Sequence, residues 1–155
     1  MVYVSGESPA TEEGCFLCVA ASGADQESLV VDRGERAYIL MNRFPYTSGH
    51  VMAVPIRHTP GLLDLTPEEG TAIFVATQRA VRAITDAMHP DGFNVGVNQG
   101  SAAGASQEHV HVHVVPRWSG DTNFMPVLGD VKVIPQDLET TAATLREAFA
   151  RLGPL

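Results

Sequence analysis

His109-Val110-His111-Val112-His113-Val114-Val115-Pro116-Arg117 is the stretch on which the reading of this chain turns. Imidazole and valine alternate with period two, and on a β-strand successive side chains point to opposite faces. Strand geometry therefore predicts three imidazoles on one face, about 7 Å apart from one to the next, and valines on the other face, against a core. Near neutral pH each imidazole is a nucleophile, a proton carrier or a metal ligand.

Two chemistries compete for such a strand. His-x-His on a strand is a common metal-ligand pair. The preceding segment, Asn98-Gln99-Gly100-Ser101-Ala102-Ala103-Gly104-Ala105-Ser106, favours another. It is small and polar, and its glycines let backbone approach a ligand closely. Its N–H groups and the side chains of Asn98 and Ser106 are donors suited to phosphate oxygens. A phosphate cradle leading into a histidine strand points to phosphoryl or nucleotidyl transfer, with a metal-dependent hydrolase as the competing reading.

Working outward, Leu29–Asp32 and Ala37–Met41 read as two strands joined by a turn at Arg33-Gly34-Glu35-Arg36. Gly49–Pro55 reads as a third strand ended by proline. Thr66-Pro67-Glu68-Glu69 carries the chemistry of a helix start: an N-cap threonine, proline at the first helical position and a glutamate to close a capping box. Ile73, Ala76, Thr77, Ala80, Val81, Ile84 and Met88 then follow a helical stripe, and Pro90-Asp91-Gly92 stops it. Phe93–Val97 and His109–Val115 are the fourth and fifth strands, and 141–152 is a C-terminal helix. Phe16–Ala21 is a short helical turn. The fold class predicted is α+β, an antiparallel five-stranded sheet with one long helix and a C-terminal helix, in one domain over 1–155 whose first 14 residues are flexible.

The chain has 155 residues, enough for a core without staples, and 45% hydrophobic residues at a mean hydropathy of +0.03. Neither a bilayer-length apolar run nor a secretory pattern is seen, so the expected compartment is the cytoplasm. A net charge of −8 and a pI near 5.1 argue against a broad nucleic-acid surface, though not against one nucleotide in a pocket. The only cysteines, Cys15 and Cys18, form a C-x-x-C whose spacing points to metal or redox chemistry.

The string Asn98…Gly104-x-Ser106-x-x-His109-x-His111-x-His113 resembles the signature of the histidine triad (HIT) family. Asn42-Arg43-Phe44-Pro45-Tyr46-Thr47-Ser48-Gly49-His50-Val51-Met52-Ala53-Val54-Pro55 is similar to the family's upstream nucleoside-binding segment. The likeness runs from Leu29 to Ile134. The extension Pro116-Arg117-Trp118-Ser119-Gly120-Asp121-Thr122-Asn123-Phe124 resembles a branch associated with diadenosine polyphosphate breakdown, diadenosine tetraphosphate phosphorylases among them.

The resemblance implies a homodimer in which two five-stranded sheets join into ten strands. It implies that His111 is the nucleophile and forms a covalent nucleotidyl-histidine, oriented by a hydrogen bond to the main-chain carbonyl of His109. It puts His113 near the departing or bridging oxygen and His50 in support from a neighbouring strand. Asn98, Gly104 and Ser106 become phosphate contacts. Asn42 becomes the residue that holds the ribose hydroxyls, where its plain reading is a turn-forming asparagine. Ala105 stands where some diadenosine triphosphate hydrolases carry a polar side chain, which leaves the polyphosphate length open. Zinc-bearing members of the wider superfamily, including galactose-1-phosphate uridylyltransferase, bind Zn2+ through residues that match Cys15, Cys18, His58 and His109. Two thiolates and two imidazoles make a closed, structural site. His89, at the end of the long helix, reads as surface.

The activity expected is cleavage of a dinucleoside polyphosphate, with water or phosphate as acceptor. The alternatives are a nucleoside phosphoramidate hydrolase, a nucleotide-binding sensor with weak turnover, and a hydrolase whose triad binds a catalytic metal.

Overall fold

The computed structural model describes residues 14–23, 25–121 and 137–155. The segments expected to be flexible at the N-terminus and to continue the family likeness after Asp121 lie outside these residues, Gly14 apart. In chain order the elements are α1 (Phe16–Ser22), α2 (Asp25–Ser28), β1 (Val30–Arg33), β2 (Ala37–Met41), β3 (Val51–Pro55), α3 (Pro67–Met88), β4 (Gly92–Gly96), β5 (Val112–Arg117) and α4 (Leu138–Arg151). Single 3-10 turns occur at Leu62–Asp64 and Ser101–Ala103.

The five strands form one antiparallel sheet in the order β1-β2-β3-β5-β4. The α+β class and the five-stranded sheet are those expected. One face is covered by the two long helices. Ile39, Met41, Val51, Ala53 and Val114 meet Ile73, Ala76, Ala80 and Ile84 of α3 and Leu145, Ala148 and Phe149 of α4. Tyr38, Leu40, Met52 and Val54, on alternate positions, point the other way and pack under Cys15, Leu17 and Ala20 of the α1 segment. No described helix is long and apolar enough to cross a membrane.

Helix α3 begins where its chemistry dictates. The Thr66 side chain accepts from the Glu69 N–H at 3.2 Å while Glu69 accepts from the Thr66 N–H at 2.9 Å, closing the capping box. Glu69 is also gripped by both guanidinium arms of Arg57, at 2.7 and 2.6 Å, which holds its carboxyl down at about 2. The helix ends at His89, exposed and left-handed with φ 50°.

Strand β5 departs from the expectation. It begins at Val112, so His109, Val110 and His111 precede the regular ladder. The last β3–β5 pair is Ala53↔Val112, and the Val110 N–H instead donates to the Thr59 carbonyl at 2.7 Å. The approach to the strand is thus paired with the loop that follows Pro55, not with β3.

Candidate active site

Strand parity puts His113 on the face away from α3. It sits opposite Met52 on β3 and Gly96 on β4. His111 and His113 are neighbours with ring centroids 4.8 Å apart, closer than an ideal strand would set them, because His111 lies outside the ladder and its ring turns back toward its own backbone. Its Nδ1 donates to the His109 carbonyl at 2.8 Å. A neutral imidazole has one N–H, so the bond that anchors Nδ1 leaves Nε2 with a lone pair. His111 is 5% exposed, and burial lowers its pKa, which keeps the lone pair available at neutral pH.

His50 precedes β3 and is fully buried. Its Nδ1 accepts from the Tyr46 N–H at 3.1 Å, so its proton resides on Nε2, which lies 3.0 Å from Nδ1 of His113. The same proton count then places an N–H on Nε2 of His113. The network thus sets two tautomers in series, with His113 held as a donor beside the bare nitrogen of His111. Burial first, and then the neighbouring imidazoles, push His50 down to about 3 and His113 to about 4, so both are neutral near pH 7.

The approach to His50 requires glycine. Gly49 has φ +81°, and a Cβ there would lie 2.6 Å from Sδ of Met88. Asn42 lies half-buried just after β2, with its amide nitrogen 3.4 Å from Nε2 of His50. Its Oδ1 accepts from the Phe44 N–H at 2.9 Å, the hydrogen bond of a turn-forming asparagine.

The glycine-rich segment runs from the end of β4 to His109. Asn98 is half-buried and Ser106 exposed, and Gly104 closes the 3-10 turn with φ +84°, a conformation that favours glycine. Sequence reasoning passed over Gln99, whose Oε1 accepts from the Leu62 N–H at 2.9 Å and ties this segment to the 62–64 turn. It also passed over Tyr46, whose ring lies on His50 and His113 with centroids 4.7 and 6.2 Å away. The Phe44-Pro45-Tyr46 triplet was visible, but nothing in a one-dimensional pattern aims a loop ring at a strand.

Cys15, Cys18, His58 and His109 converge, their ligand atoms all within 4.8 Å of one another. Sγ of Cys15 is 3.4 Å from Nδ1 of His109, and Sγ of Cys18 is 3.3 Å from Nδ1 of His58. Tetrahedral ligands at ordinary Zn–S and Zn–N lengths stand about 3.5 Å apart, S to N. The donor set therefore fits a metal ion. Nε2 of His109 donates to the Pro55 carbonyl at 3.0 Å, which directs the Nδ1 lone pair at the thiols. The metal cluster and the His111 site share one residue, His109: its ring belongs to the cluster and its carbonyl to His111.

Farther along β5, Arg117 forks onto Asp121 at 2.6 Å through each of two nitrogens and donates to Oδ1 of Asn94 at 2.7 Å. This fixes the exit of the strand against the β4 edge.

Comparison with known proteins gives the family. Residues 24–120 match the model of the HIT domain. An AP-4-A phosphorylase of Mycobacterium tuberculosis is 49% identical over 129 residues, 83% of this chain and 66% of that protein. A bis(5'-adenosyl)-triphosphatase of Dictyostelium discoideum is 36% identical over 83 residues, 54% of this chain and 56% of that protein. Among solved structures, a zinc-bound histidine triad family protein from Mycobacterium smegmatis superposes with a TM-score of 0.75 at 30% identity, covering 92% of this chain and 97% of that one. The chain spans about two thirds or less of the length of these two named enzymes, and on sequence, family model and fold it belongs to the HIT domain family.

Proposed function

We propose that this chain is an enzyme that cleaves dinucleoside polyphosphates, such as diadenosine tetraphosphate, through a covalent nucleotidyl-His111 intermediate. The observation that carries the reading is the buried His111 ring, held at Nδ1 by the His109 carbonyl and leaving Nε2 as a bare lone pair. Nε2 attacks the α-phosphorus, an N–P bond forms, and the P–O bond to the rest of the polyphosphate breaks. The polyphosphate departs as an oxyanion, and the Nε2–H of neutral His113, beside it, donates a hydrogen bond to that oxygen. In the second half an acceptor oxygen attacks the phosphorus, a P–O bond forms and the N–P bond breaks, restoring neutral His111; phosphate attacks through an anionic oxygen, and water releases its proton to solvent. Water as acceptor yields a nucleoside monophosphate and inorganic phosphate a nucleoside diphosphate. The name of the Mycobacterium tuberculosis relative supports phosphate as acceptor.

In this reading Asn98, Gly104 and Ser106 hold the phosphates and Asn42 the ribose through its amide nitrogen, since its oxygen is engaged by Phe44. His50 positions His113. The metal at Cys15, Cys18, His58 and His109 is Zn2+, supported by the zinc-bound relative and by the closed Cys2His2 donor set. It supplies folding free energy and ties the α1 segment to the backbone that orients His111. The chain works as a homodimer.

The test is a reaction with diadenosine tetraphosphate quenched in alkaline denaturant, which spares the acid-labile N–P bond, followed by mass analysis, at neutral to alkaline pH, of the peptide containing His111. An adenylyl adduct that is absent from His111→Ala supports the route, and turnover without it rejects it. Product analysis with and without phosphate assigns the acceptor.

A further inference from the structure

The loop between β2 and β3 exposes two large aromatic rings, Phe44 at 80% and Tyr46 at 61%, and Tyr46 lies against the histidines. Exposed apolar rings rimming a polar site mark a place where something binds. The loop that carries them is fixed. The Phe44 N–H is held by Asn42, the Tyr46 N–H by His50, and the Thr47 hydroxyl donates to the Pro116 carbonyl at 2.9 Å. Rings presented by a pre-set backbone bind at low entropic cost.

The position of Tyr46 says which part of a substrate it faces. Its ring lies over His50 and, at an interplanar angle of 27°, parallel-displaced from His113. His113 is the histidine on the far side of His111 from the metal cluster and the donor toward the departing oxygen. The group that leaves past His113 therefore travels toward Tyr46. A dinucleoside polyphosphate departs with a nucleoside at its far end, and every nucleobase has a π-face on which such a ring stacks.

We propose that Tyr46 is the stacking platform for the second, departing nucleoside, and so selects dinucleoside over mononucleoside polyphosphates. The proposal rests on the function given above, and it is tested so that the two fail separately.

Binding is measured by calorimetry on full-length, zinc-loaded His111→Ala protein, where no turnover interferes. The two ligands are diadenosine tetraphosphate and adenosine 5'-tetraphosphate, which share one nucleoside and the phosphate chain. Adding Tyr46→Leu should weaken the dinucleoside roughly tenfold, the scale of one base–aromatic stack, and leave the mononucleoside unchanged. Tyr46→Phe keeps the ring and should keep the preference. Equal losses for both ligands, or no loss for either, overturn the proposal. Failure of wild-type protein to cleave diadenosine tetraphosphate would instead overturn the enzymatic reading, whatever the binding ratio does.

Discussion

Nδ1 of His111 donates to the main-chain carbonyl of His109 at 2.8 Å, while the His109 ring faces the two cysteines. One residue thus orients the candidate nucleophile with its backbone and belongs to the metal cluster with its side chain. Removing the His111 ring should therefore cost chemistry far more than folding. In His111→Ala, kcat falls by several orders of magnitude, since no second nucleophile occupies that position. The protein should still melt cooperatively and bind nucleotide. Steady-state kinetics and a thermal melt check this, and retention of a tenth of wild-type kcat would reject the assigned role.

Purified chain made without a histidine tag should carry about one zinc per protomer, the load of one tetrahedral site. Elemental analysis reads the number directly. Stripping the metal with a chelator should lower the melting temperature, because metal binding to such a site contributes to folding. Metal-free protein with an unchanged melt would leave the convergence of Cys15, Cys18, His58 and His109 without a purpose.

Much of this was legible in the sequence, for physical reasons that differ by element. The start of α3 was plain because Thr66, Pro67 and Glu69 act locally, within one helical turn. The alternation of valine and histidine correctly marked β5, yet its first residues were misread as ladder. Their partner, Thr59, lies in a loop 51 positions away whose path no period-two pattern encodes. The metal cluster joins residues up to 94 positions apart, so the residues alone made the C-x-x-C only a hint; the family likeness supplied the other two ligands. Tyr46 and Gln99 were missed because their significance lies in what they touch across the fold.

Gly49→Ala should destabilise the protein and disturb His50. A side chain at φ +81° is strained, at a cost of about 1–3 kcal/mol, and its Cβ would collide with Sδ of Met88. Chemical denaturation gives the stability change. Met88→Ala in the same chain should recover the part due to collision and not the part due to φ. Wild-type stability in the single variant would show that the loop before β3 relaxes freely.

Stability should fall as pH is lowered below about 6.5, the ordinary histidine value. Burial holds His50 at about 3 and His113 at about 4 in the fold. Between those values and 6.5 the unfolded chain binds protons that the folded chain refuses, so unfolding gains with each step down in pH. The slope is up to about 1.4 kcal/mol per pH unit for each histidine kept neutral. Above 6.5 both states are neutral and these groups contribute no slope. Loss of metal in acid acts in the same direction, so the informative comparison is wild type against His50→Gln. The variant keeps amide hydrogen-bonding groups, cannot titrate, and should show a shallower curve from pH 6.5 to 4.5. Superimposable slopes would mean that His50 protonates within the fold without penalty.

The division of labour at His109 predicts opposite outcomes for two variants. Cys15 is buried and supplies one donor to the cluster, and its neighbour Leu17 accepts a 2.6 Å hydrogen bond from the hydroxyl of buried Tyr38 through its carbonyl. Cys15→Ser removes one thiolate donor, so a metal held there should bind more weakly and α1 should sit less firmly on the sheet, and the melting temperature should drop. Hydrogen exchange in α1 should rise with it. The effect on kcat should stay within the 10- to 100-fold range typical of changes around a metal's supporting contacts, because in the proposed route no ligand of the cluster contacts the phosphate and the cluster is tied to His111 through the His109 carbonyl. His111→Ala should do the reverse, with a near-normal melt and almost no turnover. If Cys15→Ser abolished turnover while leaving the melt and α1 exchange unchanged, the metal would have to act on the substrate itself, and a catalytic rather than structural centre would follow.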